Sequence, residues 1–458
     1  MGRAERKDME ARPMTEKKIL FVDLGEFGGL LGKHGPGAID AMWQDHGLCL
    51  LRTILHEAGI QTDIASTRLC KDWNEFWPNL FGYDMIIMNV RSYRFGPAKM
   101  IARAFKDMNP NGIVLVGGMH ASVAPEEMEA VEEFDHICKG PGEKAIVDLV
   151  KNHGDFPKMF DGPESARMED WPRMDRMLWP KPLPPSPQAP TYPLEASCGW
   201  GPAPVATTIT SRVCPFSCSF CNEISYIKPM ERRSVESVID EFNWLDAEYG
   251  PLGSTVMHDS LFFSQPQWLK EFIEKYPRRA RRPWPYWAAA RADLVRKWPD
   301  LFEALVRETN WTTVSIGFES GSDKVLDVLN KECTAEDNAF AIDLLNDIGD
   351  DLEAKGKQRP RFWANIMFAV PGESREDAFR TMKMWRRMKD PIPTLAYYAP
   401  YAGSALGYQL MAEGKSLMEK DDHQRYAGQP KVKGVDYRFY DDLLRGRYER
   451  EIAETPFP

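Results

Sequence analysis

The chain has 458 residues, 43% hydrophobic and 28% charged, enough for two or three domains with full cores and too apolar for global disorder. Its 58 Lys and Arg against 68 Asp and Glu give a formal charge of −10, which argues against a nucleic-acid-binding surface. Eight cysteines in a chain this long are no disulfide framework, no run has the apolar length of a membrane span, and the polar start lacks a signal-peptide core, so a cytoplasmic protein is expected.

Residues 1–16 read as a disordered tail. Lys17 to Leu24 is an apolar run of the kind buried on both faces in a parallel sheet, and a glycine-rich loop from Gly25 to Gly37 follows it. Residues 43–58 place Leu48, Leu51, Leu55 and Ala58 on one helical face, with Gly59 as the stop. Further strands are expected at 62–66, 84–90, 112–118 and 136–140, with helices near 97–107 and 126–133 and from 143. Alternating βα units of this size build a doubly wound, Rossmann- or flavodoxin-like parallel sheet over residues 17–152. Such sheets bind ligands at the carboxyl ends of their strands. Those ends carry Arg91, Ser92 and Tyr93, then Gly117, Gly118 and His120, then Gly140, Gly142 and Glu143. Taken singly, each group reads as a tight turn; taken together, the glycines let a flat ligand approach the backbone closely.

Residues 153–204 read as a linker. Seven prolines fall between Pro180 and Pro193, a stiff extended stretch expected to run over the surface, pinned by Trp171, Trp179 and Trp200. From 205 to 405 the pattern alternates again. Strands are expected at 205–211, 254–259, 286–292, 312–319, 362–370 and 394–398, with helices between them. Thr334-x-x-Asp337 and Ser374-x-x-Asp377 have the form of helix-capping boxes. Six βα units make a partial (β/α)6 barrel, TIM-like, with its chemistry expected at the carboxyl ends of the strands. Residues 406–458 form a charged, helical extension.

Cys214, Cys218 and Cys221 follow the first barrel strand in a C-x3-C-x2-C spacing. Thiolates this close serve a soft metal centre, zinc or iron–sulfur. Zinc normally takes a second pair of ligands. None lies nearby, since Cys198 stands alone upstream. Three thiolates leave one iron of a cluster open to a small molecule.

This spacing, with Phe220 before the third cysteine, resembles the signature of radical S-adenosylmethionine (SAM) enzymes. The barrel motifs that follow resemble theirs as well. By that resemblance the three cysteines hold a [4Fe–4S] cluster, and Phe220, Asp259, Ser260, Arg291, Glu319, Val370 and Gly372 contact SAM. The first half resembles the cobalamin-binding domain that precedes many such barrels, carried by Gly117-Gly-x-His-Ala-Ser122, Asp135 and the Gly140/Gly142/Glu143 turn. Gly25, Arg91, Ser92, Tyr93, Gly117, Gly118, His120, Gly140, Gly142 and Glu143 are the implied cobalamin contacts. No D-x-H-x-x-G motif is found, so cobalamin is expected base-off without a lower histidine.

The resemblance implies a cobalamin-dependent radical SAM methyltransferase. In that scheme the reduced cluster splits SAM to a 5′-deoxyadenosyl radical, which takes hydrogen from an unactivated carbon that then collects a methyl group from methylcobalamin. The substrate is expected to be a peptide or protein side chain or a small natural product, and the electron donor a flavodoxin or ferredoxin. Radical chemistry on cobalamin without methyl transfer, such as cyclisation or rearrangement, is the alternative, and a non-catalytic cobalamin or redox sensor with a vestigial barrel is a third reading.

Overall fold

A computed structural model describes residues 17–29, 45–163, 167–186, 188–196, 201–223, 230–418 and 428–458. The expected tail, residues 30–37 of the glycine loop, Cys198 and Trp200 lie outside the described residues.

The first sheet comprises β1 (Ile19–Asp23), β2 (Asp63–Ser66), β3 (Met85–Asn89), β4 (Ile113–Gly117), β5 (His136–Lys139) and β6 (Met159–Asp161). Its order is β2-β1-β3-β4-β5-β6, with every neighbour parallel. All five residues of β1 are buried, because the strand is covered on both faces. Leu20 and Val22 join one core with Ile101 and Phe105 of helix Phe95–Met108. Ile19 and Phe21 join the other, with Leu48 and Leu55 of helix His46–Glu57. Each of these fully buried apolar side chains stabilises the fold by roughly 1.5–3 kcal/mol. The His46–Glu57 helix begins where the Asp45 carboxylate accepts the Leu48 amide at 3.1 Å. β6 is an addition to the expected set; three residues at a sheet edge are too short for any alternation to be read.

The second sheet runs in the order β14-β13-β12-β11-β10-β7, again all parallel. Its strands are β7 (Val205–Thr208), β10 (Ser254–Met257), β11 (Tyr286–Ala290), β12 (Trp311–Glu319), β13 (Arg361–Phe368) and β14 (Pro391–Tyr397). β8 (Ser211–Arg212) and β9 (Glu231–Arg232) form a separate antiparallel pair beside it. β7 and β14 do not pair, so the sheet is open, consistent with the expected partial barrel and not with a closed one. Ala206, Met257, Ala288, Val314, Ile316 and Ala364 face the helices. Val205, Val256, Trp287 and Trp363 alternate with them and face inward. Both expected capping boxes form, at Thr334/Asp337 and Ser374/Asp377.

Within the expected linker, Leu183, Pro184, Pro185 and Pro190 are exposed, whereas several residues to either side of them are not. Arg176, Trp179 and Leu194 are buried, and Trp171 is half-buried. The Asp175 amide donates to Thr53 Oγ1 at 3.1 Å, and Arg52 donates to the Leu178 carbonyl. On the other side Arg176 bonds the Thr207 carbonyl and lies 3.6 Å from Glu241. Residues 175–178 thus lie between the halves and are bonded to both.

Candidate functional site

The cysteine loop leaves β8 through Val213, a β-branched residue held at φ 71°. That conformation costs on the order of 1–3 kcal/mol and needs surrounding contacts to persist. They come from the loop that follows helix Asp323–Val328. Ser219 N and Oγ donate to the carbonyls of Leu329 and Val328, each at 2.8 Å, and Asn330 Nδ2 donates to Ser217 O at 2.8 Å. Within the loop Cys221 N donates to Cys218 O at 3.1 Å. Cys218 is buried; Cys214 and Cys221 are half-buried. Burial raises the Cys214 thiol and pushes that of Cys221 up to about 11.

Arg291 stands at the end of β11 over this loop. Its Nη1 lies 3.6 Å from Cys218 Sγ, its Nε donates to Asp293 Oδ1 at 2.9 Å, and its guanidinium lies 3.5 Å from the centre of the Phe216 ring. Glu319 ends β12 at φ 60°, where the pairing with β13 slips between Gly317 and Glu319. The irregularity re-aims the carboxylate. Glu319 Oε1 then meets Lys331 Nζ at 3.3 Å, and a Cβ on Gly317 would lie 2.5 Å from that oxygen. A side chain at 317 would push this pair aside. Phe220 and Glu319 line one cavity of about 270 Å³ with Asn365, Met367, Thr394 and Tyr398. Val370 packs in the cluster that includes Phe220, Met367 and Tyr398.

A second cavity, of about 110 Å³, opens at the strand ends of the first sheet. Leu48, Leu51, Ile87, Leu115, Ile146 and Leu149 make apolar walls, and Asn89, Gly117, Gly118, Gly140, Gly142 and Glu143 edge it. Gly118 sits at φ 96°, where a Cβ would strike Asn89 Oδ1 at 2.0 Å. The Cys138 thiol on the wall is pushed up to about 12 by burial, so it stays protonated and unreactive. Asn89 Nδ2 donates to both oxygens of Asp45, at 2.9 and 2.8 Å. Arg212, from β8 of the other half, completes the wall and bonds Glu143 Oε1.

Between the cavities, His46 reaches from its helix onto the inner face of the barrel. Its Nε2 is 2.8 Å from Thr207 Oγ1, and its ring lies edge-on to His258 with centres 5.6 Å apart. Thr207 Oγ1 gives its one hydrogen to Glu195 Oε1 at 2.8 Å. His46 Nε2 must therefore carry the proton, leaving Nδ1 as a buried acceptor without a hydrogen-bond partner among the described residues. Burial, then the charges of Arg176 and Arg91, hold the His46 pKa well below 6.5. Burial and His46 do the same to His258.

Two family matches divide the chain where the two sheets do. Residues 37–150 match the B12 binding domain, and residues 208–384 match the Radical SAM superfamily. The first stretch is thus similar to B12-binding domains and the second to radical SAM domains. The chain is 23% identical over 391 residues to the uncharacterized methyltransferase PH0819 of Pyrococcus horikoshii, covering 81% of this chain and 79% of that protein. It is 25% identical over 328 residues to the anaerobic magnesium-protoporphyrin IX monomethyl ester cyclase of Rubrivivax gelatinosus, covering 67% of this chain and 54% of the cyclase. Among solved structures, the cobalamin-dependent SAM radical enzyme OxsB with aqua-cobalamin and SAM bound shares the fold. Its TM-score is 0.61 at 16% identity, over 95% of this chain and 62% of that one. The chain thus spans little more than half the length of the cyclase and under two thirds of OxsB.

These two matches imply a capacity for SAM and cobalamin, and the residues present fit both. In the radical SAM domain the donors are three soft thiols on one short loop beside a cationic guanidinium. Among the described residues no three His, Cys, Asp or Glu side chains gather as around a single ion. A cluster takes each thiolate at a separate iron, so its ligands need not converge on one point. In the B12-binding domain the cavity is narrow, apolar and glycine-edged, which suits a flat ligand.

The expected site residues divide into those brought together and those held apart. Cys214, Cys218, Cys221, Phe220, Arg291, Glu319 and Val370 surround the barrel mouth, and Gly117, Gly118, Gly140, Gly142 and Glu143 surround the smaller cavity. Asp259 is instead taken up internally. Its oxygens accept from Thr210 N at 2.6 Å, Ser211 N at 3.0 Å and Arg232 Nη2 at 3.3 Å, which ties down the strand entering the cysteine loop. Ser260 is exposed and bonds Glu223, and Gly372 turns its carbonyl to Lys324 at 2.8 Å. His120 is fully buried, 3.1 Å from Ser92 Oγ and 3.5 Å from Glu127. Arg91 is partly exposed, 3.2 Å from Tyr93 Oη. Gly25 lies under Arg68, whose Cγ would be 2.1 Å from a Cβ. Sequence reasoning missed Lys331, Arg212, Asn89 and His46. Asp45-His46, directly ahead of the first helix, is the one signal that could have pointed to the last.

Proposed function

We propose that this chain is a cobalamin-dependent radical SAM enzyme whose substrate carbon sits between the two strand-end cavities. One observation carries the reading: Arg212, two residues before Cys214, is itself part of the wall of the B12-binding domain's cavity. The strand that leads into the cysteine loop thus edges the first domain's cavity, which would put chemistry at one site next to chemistry at the other. When bound, the cluster with SAM supplies a radical able to take hydrogen from an unactivated carbon, and cobalamin supplies a second reactive centre facing the same space.

The chain's own residues bind and orient. Cys214, Cys218 and Cys221 hold the metal. Arg291 and Lys331 offer cations, and Glu319 an anion, to the zwitterionic end of SAM. Phe220 and Val370 pack against its adenine. Asn89 and the glycines at 117, 118, 140 and 142 meet cobalamin. Neutral His46 and His258, flanked by Trp287 and Trp363, keep the inner wall dry and offer an acceptor at His46 Nδ1.

Of the two chemistries weighed from the sequence, radical cyclisation or rearrangement without methyl transfer has the better support. The R. gelatinosus relative is named a cyclase, the description of OxsB names no methyl transfer, and the P. horikoshii methyltransferase is itself described as uncharacterized. Methyl transfer stays the second reading on the strength of that relative, which matches over 81% of this chain and 79% of its own length. The test is anaerobic turnover of the reconstituted full chain with SAM, reductant and candidate substrates. Release of 5′-deoxyadenosine with a product that has lost two hydrogens supports the first chemistry. S-adenosylhomocysteine with a product that has gained one CH2 supports the second. No 5′-deoxyadenosine from protein with a full cluster sinks both and revives a sensor.

A further inference from the structure

Among the described residues, Arg212 is the one side chain of the radical SAM domain that forms part of the cavity in the B12-binding domain. It is held rigidly there. Its guanidinium lies 3.9 Å from the centre of the Trp171 ring of the linker, and its Nη2 bonds Glu143 Oε1. Two atoms of this cross-domain pair remain unsatisfied. Arg212 Nη1 and Glu143 Oε2 are both buried and have no hydrogen-bond partner among the described residues. One is a donor and the other an acceptor. They come from opposite halves and stand at the edge of a slot whose other walls are largely apolar.

Such a pair selects its ligand. An anion would satisfy Arg212 and be repelled by Glu143, and a cation the reverse. A primary amide satisfies both, its carbonyl accepting from Nη1 and its NH2 donating to Oε2. The rim of a corrin ring carries primary amides. We propose that Arg212 and Glu143 together clamp one of the three free propionamides among them, so that bound cobalamin joins the two domains at the root of the cysteine loop. The inference rests on cobalamin binding to the first domain. Only Val213 separates the clamp from Cys214, and it is the residue held at φ 71°. Filling the clamp therefore also stiffens the start of the cluster loop.

The experiment is equilibrium dialysis of the full chain, with its cluster reconstituted anaerobically, against two kinds of probe. One is hydroxocobalamin; the others are its three monocarboxylates, in each of which one propionamide is replaced by a carboxylate. The wild type is expected to bind hydroxocobalamin and to bind at least one monocarboxylate about tenfold more weakly, because that carboxylate faces Glu143. Glu143→Gln should erase that discrimination, since its amide donates to a carboxylate. Arg212→Ala should weaken hydroxocobalamin by about tenfold or more, and Arg212→Lys by less. Equal binding of all four corrinoids by the wild type overturns the clamp, and this comparison needs no variant to fold. Unchanged affinity in Arg212→Ala overturns it as well. If the wild type binds no cobalamin at all, the underlying reading has failed instead.

Discussion

His46 and His258 meet edge to edge from opposite halves of the chain, and both are kept neutral by burial. Folded, they resist protonation; unfolded, they titrate near 6.5. The unfolded state therefore binds more protons below that pH. Stability from this source is fully present above about 6.5 and is lost as pH falls, by roughly 1.4 kcal/mol per unit for each histidine. The double variant His46→Gln/His258→Gln should show a flatter fall in denaturation midpoint below pH 6.5 than the wild type; parallel curves would show that the pair is not buried neutral. At this scale the sequence is uneven. The cysteines and Phe220 stood out in the sequence because their spacing lies along one short loop. Lys331 and Arg212 were not, because each earns its place through a contact more than ten residues distant (Glu319 for the first, Glu143 for the second).

Among the elements, the turn from β13 into helix Arg375–Arg387 shows how a carboxylate can shape a site without touching a ligand. Glu373 Oε2 accepts the Ala369 amide at 2.8 Å, folding Val370 and Gly372 back toward the barrel mouth. Burial pushes this carboxyl from 4.5 to about 7. The folded state holds the proton in that window while the unfolded chain has released it, so stability from this group falls as pH rises from about 4.5 to 7. Glu373→Gln should remove that component, gaining thermal midpoint on the wild type as pH rises through the window. A constant offset between the two across it would mean that the carboxyl titrates normally. The capping boxes at Thr334 and Ser374 were legible as written, since a cap is a four-residue signal. The irregularity at Gly317/Glu319 was not. Nothing in Gly317-Phe-Glu319 distinguishes a slipped pairing from a regular strand, although the slip is what aims Glu319. Helix Ala292–Lys297 was likewise hidden, being six residues against the end of a strand.

For the molecule as a whole, two βα patterns separated by a proline-rich stretch were enough to expect two parallel sheets in series. Their mutual orientation was not, because it is set by single close contacts. One is at Gly403, held at φ 83°, where a Cβ would come within 2.4 Å of Val123 Cβ in the other half. Tyr408 Oη donates to the Val123 carbonyl beside it. Gly403→Ala should cost about 1–3 kcal/mol, read as a lower denaturation midpoint, through backbone strain and this contact together. Trimming the partner separates the two causes: Gly403→Ala/Val123→Ala should be less destabilised than the sum of its single variants. Strict additivity would mean that strain alone accounts for the loss.

The buried linker has a consequence for how such a protein could be rebuilt from parts. Residues 175–178 are bonded on one side to Thr53 and Arg52 and on the other to Thr207. Glu195 bridges Val205 on the barrel's edge strand. The segment is thus a component of both domains rather than a tether between them. A B12-binding domain borrowed from another source, cut at the sheet and spliced to this barrel, would leave the edge of β7 uncovered and the Arg176 site vacant. Only an exchange that carries the linker across, together with the helix face it grips, would transplant a working cleft.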